Sequence, residues 1–431
     1  MLRQFLILGL LLGGFNPCEA ENWPGWRGPR GDGSSLDDRV PLSWDGETGR
    51  NVRWKIELPA SGHSSPVIWK NRVFIAGCQT EDRQRVLSCL DSRTGKLIWT
   101  SVVMKSPLET KHSLNSYASS TPATDGQFVY VSFLETDGST IPAPNVGSPR
   151  PVTPGTMVVA AYDFSGKQQW IVRPGSFVSA HGYCSNPVLF EDLVIVNGDH
   201  DGESYVVALD RRTGETVWKT ERKHGIRSYV TPLIRKIEGV PQMVFSGSKR
   251  VVGMDPRTGQ FLWTLEGPTE QFVASMVYDG DCFFLAAGFP TYHVMAVRPT
   301  GTGDVTESHV AWHVTNVRCY VPSPVLVNDY LLVADDRGTA NCFDKNTGER
   351  IWQDRVGRHF SASLISVQGK ALFVADDGVA SIVKPGKELQ VVHENKLGEW
   401  CYSSPAIADG CLYLRGEKHL FCIGSPVTSG P

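Results

Sequence analysis

The 431 residues contain no adjacent cysteines, no G-x-G-x-x-G, no Walker loop, no H-E-x-x-H and no nucleophile elbow. These absences remove the dinucleotide turn, the phosphate-cradling loop, the helical zinc site and the hydrolase serine turn as sources of activity. No run of lysine and arginine stands out, and 42 basic against 45 acidic residues leave a net charge of −3. A nucleic-acid partner is therefore not indicated. Past residue 15 no apolar run is long enough to cross a bilayer, so no transmembrane segment is expected. Forty-one per cent hydrophobic residues with 20 per cent charged is enough to bury a sizeable core, which argues against disorder.

What the chain does have is 43 glycines, 27 prolines and 12 tryptophans, a composition of many short strands and turns. It opens on Met1-Leu2-Arg3-Gln4, an apolar run from Phe5 to Phe15, and Cys18-Glu19-Ala20. A charged start, a short apolar run and a small residue before the cut read as a signal peptide over 1–20, hence export to the periplasm or beyond. Asn16-Pro17 before Cys18 fits lipid attachment poorly.

Four copies of D-x-x-T-G-x-x-x-W, at Asp91–Trp99, Asp210–Trp218, Asp255–Trp263 and Asp344–Trp352, organise the rest. Each has the chemistry of a tight hairpin: Asp accepts backbone N–H groups inside the turn, Gly supplies positive φ, and an apolar strand ends in Trp. Recurrence marks these aspartates as structural. Around each copy lies a unit of four strands whose inner strand starts at a Ser-Pro-like pair, as in Ser64-Ser65-Pro66, Ser120-Thr121-Pro122, Ser185-Asn186-Pro187 and Ser323-Pro324. Eight such units can be traced, with worn turns at Asp163-Phe164-Ser165-Gly166 and Arg298-Pro299-Thr300-Gly301 and no Trp in the seventh. The eighth stops after three strands, and an orphan strand with Trp54 precedes the first. The expected fold is all-β: an eight-bladed β-propeller over 51–424, closed by that N-terminal strand, with seven blades as the fallback. Residues 21–50 read as an irregular arm with Trp23 and Trp26 docked on the body, and 425–431 as a tail. An insertion over 134–156, rich in proline, falls between strands two and three of the second unit, where binding loops tend to sit.

An exported chain with ten cysteines, nine after cleavage, invites disulfides. Cys89, Cys342 and Cys422 share the repeat position that Ala161 and Ala208 fill, which reads as a small core residue. Cys411 and Cys422 are expected opposite each other across a turn at Gly416-Glu417, leaving a bridge there as the alternative.

The repeat, with its Trp docking between blades, resembles that of the pyrroloquinoline-quinone-type propellers, over roughly residues 51–424. The arm sequence Asn22-Trp23-Pro24-Gly25-Trp26 is similar to the one preceding the propeller in exported members. The resemblance implies one of two functions. One is a quinoprotein dehydrogenase using pyrroloquinoline quinone and Ca²⁺. The other is a cofactor-free scaffold, such as the outer-membrane β-barrel assembly lipoprotein. Those dehydrogenases commonly set a disulfide between adjacent cysteines against the quinone and carry larger insertions. This chain has neither.

In such a ring the loops entering the inner strands and those between strands two and three share one face around the channel. That places His63, Tyr117, His181, Tyr183, Arg227, Tyr229, Arg318, Tyr320, Trp400 and Tyr402 at the channel mouth, with His359-Phe360 and Phe272 beside them. Stacking rings and cationic donors of this kind suit a planar or anionic ligand. The plain alternative is that the rings fill a tapering channel. Asp199-His200-Asp201-Gly202-Glu203 concentrates oxygen ligands suited to Ca²⁺, yet Asp and Gly are what hairpin turns prefer anyway. No catalytic residue and no metal site is expected. The function expected is a non-catalytic, monomeric scaffold or binding protein of the cell envelope. Its partner would be an envelope protein or peptide, or a small planar or anionic ligand; the alternative is a quinoprotein-like oxidoreductase.

Overall fold

A computed structural model describes residues 21–425, and every regular element in them is a strand. The expected signal segment 1–20 and residues 426–431 of the expected tail lie outside that span. Eight antiparallel sheets follow one another around a central channel, so the seven-bladed fallback is set aside. Blade 1 is typical, with strands Val67–Trp69, Arg72–Gln79, Gln84–Asp91 and Leu97–Lys105 running outward from the channel. Blade 8 contributes three strands, Ala406–Ala408, Cys411–Arg415 and His419–Ile423, and its fourth is Val52–Glu57 from the N-terminal side. Inner strands of neighbouring blades touch, including Val67–Trp69 against Ala406–Ala408. The ring is closed, so the last blade packs on the first as the other neighbours pack on each other.

The turn that punctuates the sequence also glues the blades. The Asp Oδ1 accepts backbone N–H groups two and three residues on in the copies at Asp91, Asp210 and Asp344, at 2.9–3.0 Å, and the one two residues on at Asp255, at 2.8 Å. Gly95, Gly214, Gly259 and Gly348 all sit at φ of 70–76°, a region that costs other residues strain. Each of these glycines lies under the Trp of the preceding blade: a Cβ on Gly214 would meet the Trp170 ring at 2.7 Å, and one on Gly259 the Trp218 ring at 2.5 Å. The indole N–H then donates to the carbonyl one residue past the Asp position of that same turn. Trp54 reaches Ser92, Trp99 Phe164, Trp170 Arg211, Trp218 Pro256 and Trp312 Lys345, all at 2.8–3.1 Å. Trp352 and Trp263 depart from this: the first reaches Gly386 O at 3.1 Å, and the second donates to Gln242 in its own blade, where the next turn has Arg298 in place of Asp. There, Gly303–Asp304 pairs in parallel with Phe261–Glu266 as a fifth strand instead.

A further copy of the turn is present in the arm. Asp45-Gly46-Glu47-Thr48-Gly49 precedes the closing strand, with Asp45 accepting from Glu47 and Thr48 at 2.9 Å and Gly49 at φ 79°. Nothing lies within 4 Å of a Cβ on Gly49. That void follows from blade 7, where His393 stands opposite Ile382 in the register position that holds Trp elsewhere.

Each docking Trp pairs across the ladder with a small residue: Cys89, Ala161, Ala208, Ala296, Cys342, and Cys422 opposite Trp54. The cysteines at this position are core residues. The expected placement of Cys411 opposite Cys422 is corrected: Tyr413 faces Cys422, because the hairpin closes one pair further out, at Arg415 and Leu420. All nine cysteines among the described residues are free thiols.

The ladder of blade 2 extends through Glu135 and Gly155, so the insertion proper is residues 136–154. It carries a small hairpin, Ile141–Pro142 with Pro151–Val152.

Candidate functional site

Strand direction puts the strand 4-to-1 and 2-to-3 loops of all blades on one face, and the 1-to-2 hairpins and D-x-x-T-G turns on the other. The arm crosses that second face. Trp23 exchanges both backbone hydrogen bonds with Ile68 of blade 1 at 2.9 Å. Pro24 accepts from Thr124 of blade 2, and Arg30 from the Arg235 side chain of blade 4. Arg27 is buried and donates to Pro324 O of blade 6 at 2.5 Å, Ser35 to Ser366 of blade 7, and Asp37 accepts from Gly410 of blade 8. Positive φ at Arg27, Gly28, Gly31 and Gly33 lets a short segment fold this tightly. The arm closes the channel at this end.

Above it runs a girdle of hydrogen bonds that explains the Ser-Pro-like pairs. The backbone N–H just before each inner strand donates to the side-chain oxygen of the equivalent residue in the next blade. Ser65 donates to Thr121, Thr121 to Asn186, Thr231 to Ser275, Ser275 to Ser323, Ser323 to Ser363 and Ser363 to Ser404, at 2.6–3.3 Å. Asn186 links to Thr231 through its amide at 2.7 Å. The hydroxyl of Ser65, where blade 8 meets blade 1, has no partner among the described residues. Trp26 hooks onto this girdle, its indole donating to Ser275 Oγ at 3.2 Å.

Floor, girdle and mouth loops enclose a cavity of about 660 Å³. Of the residues predicted at the mouth, His63, His181, Arg227, Tyr229, Tyr320 and Tyr402 line it. Four do not. Tyr183 is buried between blades against Phe177, bonded to the Ser132 hydroxyl. Tyr117 lies under Arg85 and Lys111, 5.7 and 5.1 Å from ring centre to cation, beside the buried Arg85–Glu109 pair. Arg318 points to solvent. Trp400 is 52 % exposed and stacks on the outside of Tyr402, with planes 12° apart. Both members of the Arg227–Tyr229 pair line the cavity, whereas one member does in each of the pairs His181–Tyr183, Arg318–Tyr320 and Trp400–Tyr402.

The lining also includes residues that spacing did not single out: Trp26, His112, Asp336, and Asn145 to Ser148 with Arg150 from the insertion. The insertion reaches over the mouth, Asn145 O accepting from Arg227 at 3.1 Å and its amide donating to Asp201 at 3.2 Å. The proline-rich loop was the signal for this, while His112 and Asp336 had none.

Burial governs the electrostatics. His181 is pushed down to about 4 by burial, with Arg227, His112 and Arg150 adding repulsion. His63 falls to about 3 by burial, assisted by Arg415 and Lys111. His359 moves up, because its Nδ1 is bonded to Asp376 at 2.7 Å. Burial raises the phenols of Tyr229 and Tyr320 and takes the Cys184 thiol up to about 12. Asp201 binds Arg227 Nη1 through both oxygens at 3.0 Å, and Asp199 pairs with Arg222. Asp199 and Asp201 are thus committed to arginines, and among the described residues no group of three His, Cys, Asp or Glu is placed to hold a metal ion. The arrangement can stack on a planar group and donate hydrogen bonds.

The family model described as outer membrane protein assembly factor BamB matches residues 37–140, 86–354 and 336–423. Among solved structures, BamB from Moraxella catarrhalis is similar at 13% identity, with 88% of this chain and 98% of that one covered and a TM-score of 0.59. A europium-containing methanol dehydrogenase is similar at 12% identity, over 93% and 90% of the two chains, with a TM-score of 0.51. A computationally designed protein, Ika8, gives 13% identity, 85% and 98% coverage and a TM-score of 0.55. At these identities the likeness is one of fold. No curated protein sequence matches the chain.

Proposed function

The chain belongs to the family described as outer membrane protein assembly factor BamB, and from that premise we propose that it is an exported, non-catalytic binding protein of the cell envelope whose working surface is the central cup. The observation that carries this is the one-ended channel. The arm seals one end and leaves about 660 Å³ open only at the mouth, a volume in the range of ligand pockets. Its lining favours binding over chemistry: His63 and His181 are held neutral, the phenols and the thiol stay protonated, and Asp201 is bound to Arg227. The occupant is a small planar or anionic ligand, or the end of a peptide from an envelope partner. Exposed Leu114, Phe289 and Trp400 around the mouth supply apolar contacts for such a partner.

The second reading, a quinoprotein-like oxidoreductase, draws on the fold likeness to a methanol dehydrogenase. A planar quinone would be accommodated by the volume and by Trp26 as a stacking floor. Its Ca²⁺ would need several oxygen ligands. Asp201 is taken by Arg227, leaving Asp336 as a lone unpaired carboxylate in the cup. The residues present do not fit the quinone–calcium pair.

The test is native mass spectrometry of the purified protein after incubation with an envelope extract. The wild type is expected to retain a component that Tyr320→Ala releases. Retention of nothing, or equal retention by both, contradicts the proposal. A stable chromophore with dye-linked alcohol oxidation after adding pyrroloquinoline quinone and Ca²⁺ would favour the second reading.

A further inference from the structure

Resting on the binding function above, we propose that the cup takes a zwitterion, with a carboxylate or phosphate at one end and a protonated amine at the other, laid across the channel from blade 2 to blade 6. In a ring of eight consecutive blades, blade 6 stands four places from blade 2, on the opposite wall. The two walls carry side chains of opposite sign, Arg150 on one and Asp336 on the other, neither in a salt bridge among the described residues.

On the blade 2 side, Arg150 enters from the insertion and His112 from the loop leading into the blade, with Lys111 beside it. The His112 and His181 rings meet edge to face, 5.6 Å between centroids. Neither Arg150 nor Lys111 has an acidic partner among the described residues. The nearby acid, Asp201, already has both oxygens on Arg227. An exposed guanidinium fork beside two imidazoles is a ready donor set for a carboxylate or phosphate.

On the blade 6 side, Asp336 lines the cup half-buried and accepts one hydrogen bond, from Val321 N at 3.0 Å, with no ion pair. Its neighbours offer little relief. Asp335 directs its own Oδ1 to Arg337 and Thr339 N at 2.8 Å, and His359 is held by Asp376. Its second oxygen has no protein donor among the described residues and opens onto the cup, where an entering ammonium or N–H group would bond it. Between the two ends lie Tyr229 and Tyr320, the latter within electrostatic reach of both Arg227 and Asp336. The surface joining the charges is therefore aromatic, suited to an apolar middle section.

The experiment is calorimetric titration of the full chain with two probes, the tripeptide Gly-Phe-Gly and glycerophosphoethanolamine, which separate an amino-acid from a lipid-headgroup source. For the peptide, N-acetylation or C-terminal amidation should each weaken binding about ten-fold or more. Arg150→Gln should weaken the free peptide but leave the amide unchanged, and Asp336→Asn should weaken the free peptide but leave the acetylated form unchanged. For the headgroup, each variant alone should weaken binding. Acetylated and free peptide binding alike, or both variants weakening every probe equally, would overturn the proposal. So would no binding of either probe at about 1 mM. If that last result came while an extract component was still retained, the zwitterion would fall and the cup as a binding site would stand. Loss of both would remove both.

Discussion

The glycine of the repeated turn does two jobs that substitution can separate. At Gly214, alanine would meet both a positive φ and the Trp170 ring at 2.7 Å. At Gly49 it would meet the same φ and open space. Gly49→Ala should cost the backbone strain alone, about 1 kcal/mol, and Gly214→Ala about 2–3 kcal/mol because the indole must also move. Urea midpoints of the two variants check this; equal losses would mean the Trp contact is soft. The buried histidines give a pH signature. The unfolded chain takes protons on His63 and His181 near 6.5, while the folded chain refuses them until about 3 and about 4. Between those values the unfolded state binds more protons, so stability rises with pH and is lost on acidification from 7 to 5. His359 acts oppositely: its raised value adds stability that is present below 6.5 and lost as pH climbs through the folded value. With His112, His200, His224, His293 and His313 also depressed, seven histidines against one raised predict a lower urea midpoint at pH 5 than at pH 7. The double variant His63→Gln/His181→Gln should narrow the difference, and an unchanged wild-type midpoint would contradict it.

At the scale of elements, the N-terminal segment closes two things, the ring and the channel floor. Deleting residues 21–57 would strip the partner from His419–Ile423 and expose a buried strand edge, so the product should aggregate on size-exclusion chromatography. Deleting 21–49 while keeping Val52–Glu57 should leave a monomer with a lower melting temperature, because the strand still closes blade 8 but the contacts under seven blades are gone. A monomeric 21–57 deletion would argue that closure matters little. Much of this was legible in the sequence: the missing outer strand of the last unit and the orphan Trp54 together required a closing strand. The turn at Asp45–Gly49 was not, because one extra residue separates its Gly from Trp54 and breaks the nine-residue spacing. Cys411 and Cys422 were misplaced for a related reason, since hairpin register depends on turn length, which composition does not give.

At the scale of the whole molecule, the mouth was readable as a face and not as a set of side chains. Topology alone assigns the 4-to-1 and 2-to-3 loops to one end. Whether Tyr183 or His181 enters the channel depends on which way each loop residue points, and Asp336 looked like any hairpin aspartate until the ring set it on the cup wall. The insertion, legible as a proline-rich excursion, becomes a partial lid only in three dimensions. The central claim is that ligand occupies this one-ended cup. Gly147, on the insertion and lining the cavity, has nothing within 4 Å of its Cβ position, so Gly147→Trp adds bulk at the mouth without a clash. Thermal unfolding of wild type and Gly147→Trp, with and without the low-molecular-weight fraction of an envelope extract, is the direct measurement. The account predicts that the fraction raises the wild-type melting temperature and leaves that of Gly147→Trp unmoved; an equal rise in both, or none in the wild type, would contradict it.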